Sequence, residues 1–252
     1  MNLIFEGFAW ILDPANQTGP GGWFARLAEQ LGYTFGAVAI AAVIAIPLGY
    51  LVGHTGKGRD IAVSISGGLR ALPSLGVLIL FGFALGIGFR APMLTLVILA
   101  IPPLLAGAYS GFEAIDRRTI DAARALGMTE LQIVTKVEIP LGLPLLIGGV
   151  RSSLLQVVAT ATLAGYIGGG ALGTFIFEGA ATRNYGEMLG ASILVTGLAL
   201  VIEGIFALLQ KLVVPRGVVA KEQKDVRARS SRPRAVVGTP TQEGKQSHVH
   251  SH

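Results

Sequence analysis

Long apolar segments separated by short polar stretches dominate the pattern of this 252-residue chain. A helix that crosses a hydrocarbon core of about 30 Å needs about 20 residues, because each residue rises about 1.5 Å. Five segments reach that length, namely residues 33–52, 69–89, 92–112, 141–167 and 188–212. The pattern therefore predicts an all-α membrane protein with about five transmembrane helices.

The first 30 residues hold a shorter apolar patch, residues 3–12, followed by a turn-rich stretch. The patch is too short to span, and it lacks the basic region and small-residue cleavage site of a signal peptide. We expect residues 1–30 to form an extracytoplasmic N-terminal segment whose interfacial helix is anchored near the headgroups, with Trp10 and Trp23 as the anchors. Residues 31–213 are then the membrane domain.

The basic residues predict the orientation of the spans. One side of the membrane receives most of them, namely Lys57, Arg59, Arg117, Arg118, Arg124, Lys136, Lys211 and Arg216. The other side receives Arg26, Arg90 and Arg183. The positive-inside rule therefore places the N-terminus outside and the C-terminus in the cytoplasm. Five crossings agree with this polarity, because an odd number places the two ends on opposite faces.

Composition supports the membrane class and excludes several kinds of site. Hydrophobic residues make up 52% of the chain and charged residues 14%, whereas soluble domains carry about 25% charged residues. The chain has no cysteine, which excludes disulfides, cysteine-ligated zinc, iron–sulfur clusters and thiol nucleophiles. The net charge of +5 comes from basic residues between the spans and in the tail, so we predict no nucleic-acid partner.

Residues 214–252 are polar, basic and almost free of aromatic side chains. Such a segment cannot bury enough apolar surface to offset its ordering entropy, so a disordered cytoplasmic tail is predicted. Its charge can attract anionic lipid at about 1 kcal/mol for each basic residue near the surface. His248, His250 and His252 alternate there without a rigid frame, so no metal site is predicted.

The polar stretch between the third and fourth spans, residues 113–140, is long for a loop in so compact a chain. It predicts a helix capped by Thr119 that runs to Leu126, a break at Gly127, and a second helix capped by Thr129. The expected apolar stripes of the two helices are Ile120, Ala123 and Leu126, and Leu131, Val134 and Val137.

The spacing in this loop resembles a known motif. Asp121-Ala122-Ala123, three residues, Gly127, nine residues and Val137-Glu138-Ile139-Pro140 resemble the EAA loop of bacterial ABC importer permeases. The family pattern is Glu-Ala-Ala, three residues, Gly, nine residues, then Ile, any residue, Leu-Pro. The resemblance implies a type I ABC importer (MetI-like) fold, with residues 113–140 as the coupling loop that docks a separate ATPase.

The implied chemistry of the loop is mechanical. Small side chains at Ala122 and Ala123 let a helix lie close in a groove of the ATPase, Gly127 permits the sharp turn, and Asp121 complements a positive charge. The chain contains no Walker A motif, so ATP and Mg are expected at the partner ATPase, with no cofactor or metal bound by this chain. The resemblance further implies a second permease copy, identical or similar, an extracytoplasmic substrate-binding protein, and a bacterial plasma membrane location.

Two stretches resemble one branch of the family. Residues 68–75 and 164–173, together with Asp121 in place of glutamate, are similar to permeases for glycine betaine, carnitine and choline, the Opu and Pro type. The alternative branch is the methionine and amino-acid importers, which also have five spans. In both, an extracytoplasmic binding protein selects the ligand, and for quaternary amines it does so through an aromatic cage.

Polar residues within or beside the spans are candidates for the pathway or its gate, namely Arg70, Pro73, Ser74, Arg151 and Glu203. Intramembrane charges usually face a bundle interior or an aqueous path, although charges near a helix end can also reach the interface. An ion-coupled transporter would place more acids at mid-membrane, and an enzyme would need a nucleophile with a base. Neither pattern occurs in the sequence.

Overall fold

The computed structural model describes residues 3–213, and this part of the chain is helical without any strand. The predicted tail, residues 214–252, lies outside the described residues. The helices are α1 Leu3–Leu12, α2 Pro14–Gln17, α3 Trp23–Thr55, α4 Arg59–Ala71, α5 Ser74–Leu85, α6 Arg90–Glu113, α7 Arg117–Ala125, α8 Glu130–Ile133, α9 Ile139–Ala161, α10 Gly173–Thr182 and α11 Tyr185–Val213. A π-helical turn, Val134–Glu138, joins α8 to α9, and a 3-10 segment, Thr162–Ile167, follows α9.

Within residues 3–213, four helical runs are long and apolar enough to cross a membrane, and a bent pair makes a fifth crossing if it is one span. The four are α3, α6, the run Glu130–Ile167 and α11. They confirm the first, third, fourth and fifth predicted spans. The second is wrong as a continuous helix, because α4 and α5 meet at 83° and α5 ends at Leu85 rather than at residue 89.

The bend between α4 and α5 has a local cause. Pro73 has no N–H to donate, and its ring disfavours helical geometry in the residue before it. Leu72 accordingly adopts an extended conformation, with φ −65° and ψ 130°. The helix therefore stops at Ala71 and restarts in a new direction at Ser74.

The core of the membrane domain forms where α6 packs against both α3 and α9. A Cβ atom on Gly149 of α9 would lie 2.8 Å from the Cα atom of Gly107 in α6. Only glycine allows this approach of two backbones, as is usual where membrane helices pack closely. α6 is consequently the most buried of the four candidate spans in the described residues.

The prolines within α6 leave backbone carbonyls without their usual helical donor. Pro103 cannot donate to the carbonyl of Leu99, which lies four residues earlier. The side-chain Nε2 of Gln156 in α9 donates to that oxygen at 3.1 Å. A neighbouring helix thus satisfies the freed group, as it must where no water is present.

The N-terminal helix α1 packs against α11, and Trp10 makes an edge-on contact with Phe175 at 5.0 Å between ring centroids. α3 begins at Trp23, ten residues before the predicted start of the first span, and the indole nitrogen of Trp23 donates to the carbonyl of Ile11. The predicted helix at residues 3–12 is therefore present, and its location in the headgroup region stays a prediction.

Candidate functional site

The segment 113–140 folds as a helix, a tight turn and a second helix that continues into α9. Asp116, rather than the predicted Thr119, caps α7 by accepting from the backbone of Arg118. Gly127 has a φ of +80°, the left-handed conformation that its predicted role requires. Thr129 caps α8 in a reciprocal capping box with Gln132, as predicted.

The loop has a small apolar core of its own. Ile120, Ala123 and Ile133 are buried together, with Ile115, Met128 and Val137 partly buried around them. Ala123 is therefore an internal packing residue of the loop and does not present its side chain at the surface. Ile133 was not in the predicted stripe, and it occupies the place expected for Leu131.

The outer face of the loop combines small, acidic and large apolar residues. Asp121, Ala122 and Gly127 are exposed. Leu126 and Leu131, predicted to lie in the apolar stripes, are instead 84% and 74% exposed. Two leucines that project from this loop leave apolar surface uncovered, which is typical of a protein contact. We call Asp121, Ala122, Leu126, Gly127 and Leu131 the outer face.

An ion pair joins the two short helices α7 and α8. Arg124 of α7 donates to both carboxylate oxygens of Glu130 in α8, at 2.8 and 3.1 Å, and lies 3.5 Å from Asp121. The hydrogen bond from Arg124 lowers the pKa of the Glu130 carboxyl, and the same bond raises the pKa of the guanidinium. Both side chains are about half exposed, so the pair orients the helices more than it stabilises them.

A second polar contact joins the loop to the first span. Nδ1 of His54, in the last turn of α3, lies 2.6 Å from the Glu138 carboxylate. The side chain of Glu138 is 6% exposed. Sequence reasoning missed this pair, because His54 and Glu138 are 84 residues apart and Glu138 occupies the variable position of the motif.

The motif ends where the loop enters the membrane domain. The backbone N–H of Ile139 donates to the carbonyl of Val134, five residues back, which is the π-helical register. Pro140 follows at once and has no N–H to donate, so the shift of register accommodates it. Val137 and Ile139 are half-buried and Pro140 is exposed. Helix thus runs without interruption from Glu130 to Ile167.

The residues predicted to line or gate the pathway lie in two separate places. Arg70 is exposed in the last turn of α4, and Pro73 forms the bend that follows it. Ser74 lines a small cavity together with side chains of α5, α6 and α9 and the segment after α9, namely Leu78, Pro92, Thr95, Leu96, Thr160, Leu163 and Ala164. These three candidates are therefore neighbours at the break between α4 and α5.

Arg151 and Glu203 lie elsewhere and pair with each other. Nε of Arg151 in α9 donates to Glu203 of α11 at 2.8 Å, its second terminal nitrogen also donates to that carboxylate, and Nη1 donates to Gln210 at 3.0 Å. Pairing reduces the cost of both charges within the membrane. The sequence suggested each residue separately, but not that they join α9 to α11.

The glycine-rich segment after α9 is held by the start of α3. The hydroxyl of Tyr33 donates to the carbonyl of Gly169 at 2.7 Å, and the carboxylate of Glu29 accepts from the N–H of Ala171 at 2.8 Å. Ala171 has a φ of +66°, which is unusual for a residue with a Cβ. Glu29 and Tyr33 therefore help to hold a strained turn in place.

Comparison with known proteins agrees with this geometry. The model of the family described as "binding-protein-dependent transport system inner membrane component" matches residues 45–218. The chain is similar to the glycine betaine/carnitine/choline transport system permease protein OpuCB of Bacillus subtilis (strain 168), with 31% identity over 202 residues that cover 80% of this chain and 93% of the relative. It is also similar to the carnitine transport permease protein OpuCB of Listeria monocytogenes, with 34% identity over 190 residues that cover 75% of this chain and 87% of the relative.

Among solved structures, a chain of the MetNI methionine ABC transporter in inward-facing conformations superimposes with a TM-score of 0.68. The two chains are 24% identical, and the match covers 77% of this chain and 96% of that one. This likeness confirms the predicted MetI-like fold.

Proposed function

This chain belongs to the family of binding-protein-dependent transport system inner membrane components, and we propose that it couples transport to a separate ATPase through the loop 113–140. The outer face of the loop carries the proposal. It presents Leu126 and Leu131 to the cytoplasm around the turn at Gly127. Side chains that become fully desolvated near the centre of a contact contribute most of its binding energy, and burial of two leucines adds about 25 cal/mol for each Å² of apolar surface removed from water.

A continuous helical run joins the loop to the membrane domain. The helical run Glu130–Ile167 is 38 residues long, which is about 57 Å at 1.5 Å per residue and far exceeds a hydrocarbon core. Its first turns therefore project from the membrane and move with the fourth span. We infer that ATP and Mg bind at the partner ATPase, and that closure of two ATPase subunits swings this helix.

The remaining assignments complete the proposal. The N-terminus lies outside and the C-terminus in the cytoplasm of a bacterial cell, as the distribution of basic residues indicates. A second permease copy and an extracytoplasmic binding protein complete the complex. Arg70, Pro73 and Ser74 border the pathway at the bend between α4 and α5, whereas the Arg151–Glu203 pair fixes α11 against α9.

For the cargo, we propose osmoprotectants with a quaternary ammonium group, such as glycine betaine, carnitine and choline. This proposal is supported by relatives that are more than 30% identical to the chain and whose names include these compounds. Methionine is the alternative cargo. Vesicles that contain the assembled transporter should take up labelled glycine betaine, and unlabelled choline or carnitine should compete while methionine should not. Competition by methionine alone would overturn the cargo assignment.

Docking is tested by co-purification of the ATPase with the permease. Leu126→Asp and Gly127→Asp should each abolish co-purification, because a charge at the outer face must be desolvated in the contact. Gly58→Asp is the matched control, since Gly58 also has a positive φ, also lies in the cytoplasmic loops and has no atom within 4 Å of an added Cβ. Retention of the ATPase by Leu126→Asp and Gly127→Asp would contradict the docking proposal.

A further inference from the structure

The bent helix pair α4 and α5 lies between two short segments of the same form. Gly56-Lys57-Gly58 precedes α4, and Gly86-Ile87-Gly88 follows α5. All four glycines have a positive φ. An added Cβ atom would meet nothing within 4 Å at three of them, and at Gly56 the nearest atom is a guanidinium nitrogen at 3.8 Å. Backbone conformation, rather than lack of space, therefore requires glycine at both ends of the pair.

The pair packs loosely against the rest of the membrane domain. Few residues of α4 and α5 are buried, whereas most of α6 is buried. The hydroxyl of Ser66 in α4 is buried without a hydrogen-bond partner. A small cavity lies between Ser74 and Leu78 of α5 and Thr95 and Leu96 of α6. An unpartnered hydroxyl and unfilled space both show that these contacts are weaker than those of a close-packed core.

The helices beside the pair are tied to one another by polar side chains. The hydroxyl of Ser153 in α9 donates to a carbonyl of α6 at 3.1 Å, and the buried amide of Gln30 in α3 donates to the carbonyl of Val158 in α9 at 2.7 Å. Within residues 3–213, the pair makes one polar side-chain contact with another helix, the exposed ion pair of Arg59 with Glu113 at 3.0 Å. It joins α4 to α6 directly after the first glycine segment. α3, α6 and α9 therefore form one unit, to which α4 and α5 are attached mainly at the ends of the pair.

The break between α4 and α5 lies at the depth of the membrane. α4 is about 20 Å long and α5 about 18 Å, so neither crosses the hydrocarbon core alone. Residues 70–73 at the break are exposed, and the next residue, Ser74, lies beside residues within α6. Non-helical backbone at this depth is tolerated where it is buried in protein or lines a water-filled cavity. Exposure of this break therefore favours a water-filled path beside it.

We propose that residues 59–85, which we call the flap, move as a hinged element against the unit of α3, α6 and α9 and thereby open and close the pathway at the break. The inference rests on the proposed function for its link to transport. The two glycine segments absorb the change in backbone dihedral angles, as loop residues at hinges do. Movement of α5 towards α6 fills the cavity between them.

Distances within the permease alone test the movement. The chain has no cysteine, so two introduced cysteines carry the only spin labels. Suitable exposed positions are Ser64 in the flap, Ser152 in α9 and Ala39 in α3. In lipid nanodiscs, with labelled permease diluted by unlabelled permease, dipolar spectroscopy should give two distances between positions 64 and 152 and one between positions 39 and 152. A single distance for the first pair, as narrow as that of the second, would overturn the proposal.

The glycine segments are tested by alanine, which disfavours a positive φ. Gly58→Ala and Gly86→Ala should each change the ratio of the two distances by about tenfold, because the two arrangements differ in backbone conformation at the hinges. Gly197→Ala is the matched control, since an added Cβ also meets nothing within 4 Å there but the residue lies within the helix α11. It should leave the ratio unchanged. A ratio that neither hinge variant changes would show that these segments are not the hinges.

The assembled transporter separates this inference from the proposed function. A non-hydrolysable ATP analogue should shift the ratio of the two distances, and no shift in a complex that retains its ATPase would overturn the link between the flap and transport. If Leu126→Asp keeps the ATPase, the docking proposal fails, whereas the distances in the permease alone still decide on the flap. If Leu126→Asp loses the ATPase and positions 64 and 152 give a single distance, only the inference about the flap fails.

Discussion

Replacing Gln156 with leucine removes the donor that satisfies the carbonyl of Leu99, which Pro103 leaves without its helical partner. Leu99 is 4% exposed, so water cannot take the place of the amide. We therefore expect a loss of about 1.5 kcal/mol in unfolding free energy. Hydrogen bonds between membrane helices average about 0.6 kcal/mol and reach about 1.7 kcal/mol, and this one satisfies a buried carbonyl that has no helical donor. This loss corresponds to about a tenfold change in the unfolding equilibrium constant.

A double-mutant cycle makes the explanation testable. Alanine at position 103 restores an N–H that can donate to Leu99 within α6, so Gln156→Leu should then cost less than about 0.5 kcal/mol. The assay is equilibrium unfolding of the purified permease in mixed micelles of a mild and a denaturing detergent. It is carried out for the wild type, both single variants and the double variant. If Gln156→Leu lowers the unfolding free energy by the same amount whether residue 103 is proline or alanine, the reasoning is refuted.

Two further predictions concern helix packing. Gly149→Leu should destabilise the protein by about 1–3 kcal/mol in the same unfolding assay, because its Cβ would clash with the backbone of Gly107, whereas Gly148→Leu should be nearly neutral since no atom lies within 4 Å of its Cβ. Arg151→Met should lower the thermal unfolding midpoint strongly because it leaves Glu203 unpaired, and adding Glu203→Leu should recover much of the loss. Equal effects of the two glycine variants, or no recovery in the double variant, would contradict these explanations.

The number of spans and the motif of the loop could be predicted from the sequence because both depend only on residues that are close together along the chain. Segments of about 20 apolar residues predicted four of the spans, since the membrane leaves the backbone few alternatives to helix. In the second span Pro73 is the local cause of the break, but the angle of 83° between α4 and α5 depends on how these helices pack against their neighbours.

Contacts between distant residues could not be predicted in this way. Arg151 and Glu203 are 52 residues apart, and their pairing depends on how two helices are rotated about their axes. Within the loop, the predicted stripes placed Leu126 and Leu131 inward, yet both are exposed and Ile133 is buried instead. In helices this short, a shift of phase by one or two residues decides which side chain faces the core.

Uptake by vesicles tests the central claim most directly. Vesicles that carry the permease with its ATPase and binding protein should accumulate labelled glycine betaine when ATP is supplied to the side of the loop, in the absence of any ion gradient. Leu126→Asp should abolish this uptake while the amount of permease in the membrane stays at the wild-type level. Uptake that needs an ion gradient rather than ATP, or that persists undiminished in Leu126→Asp, would contradict the account.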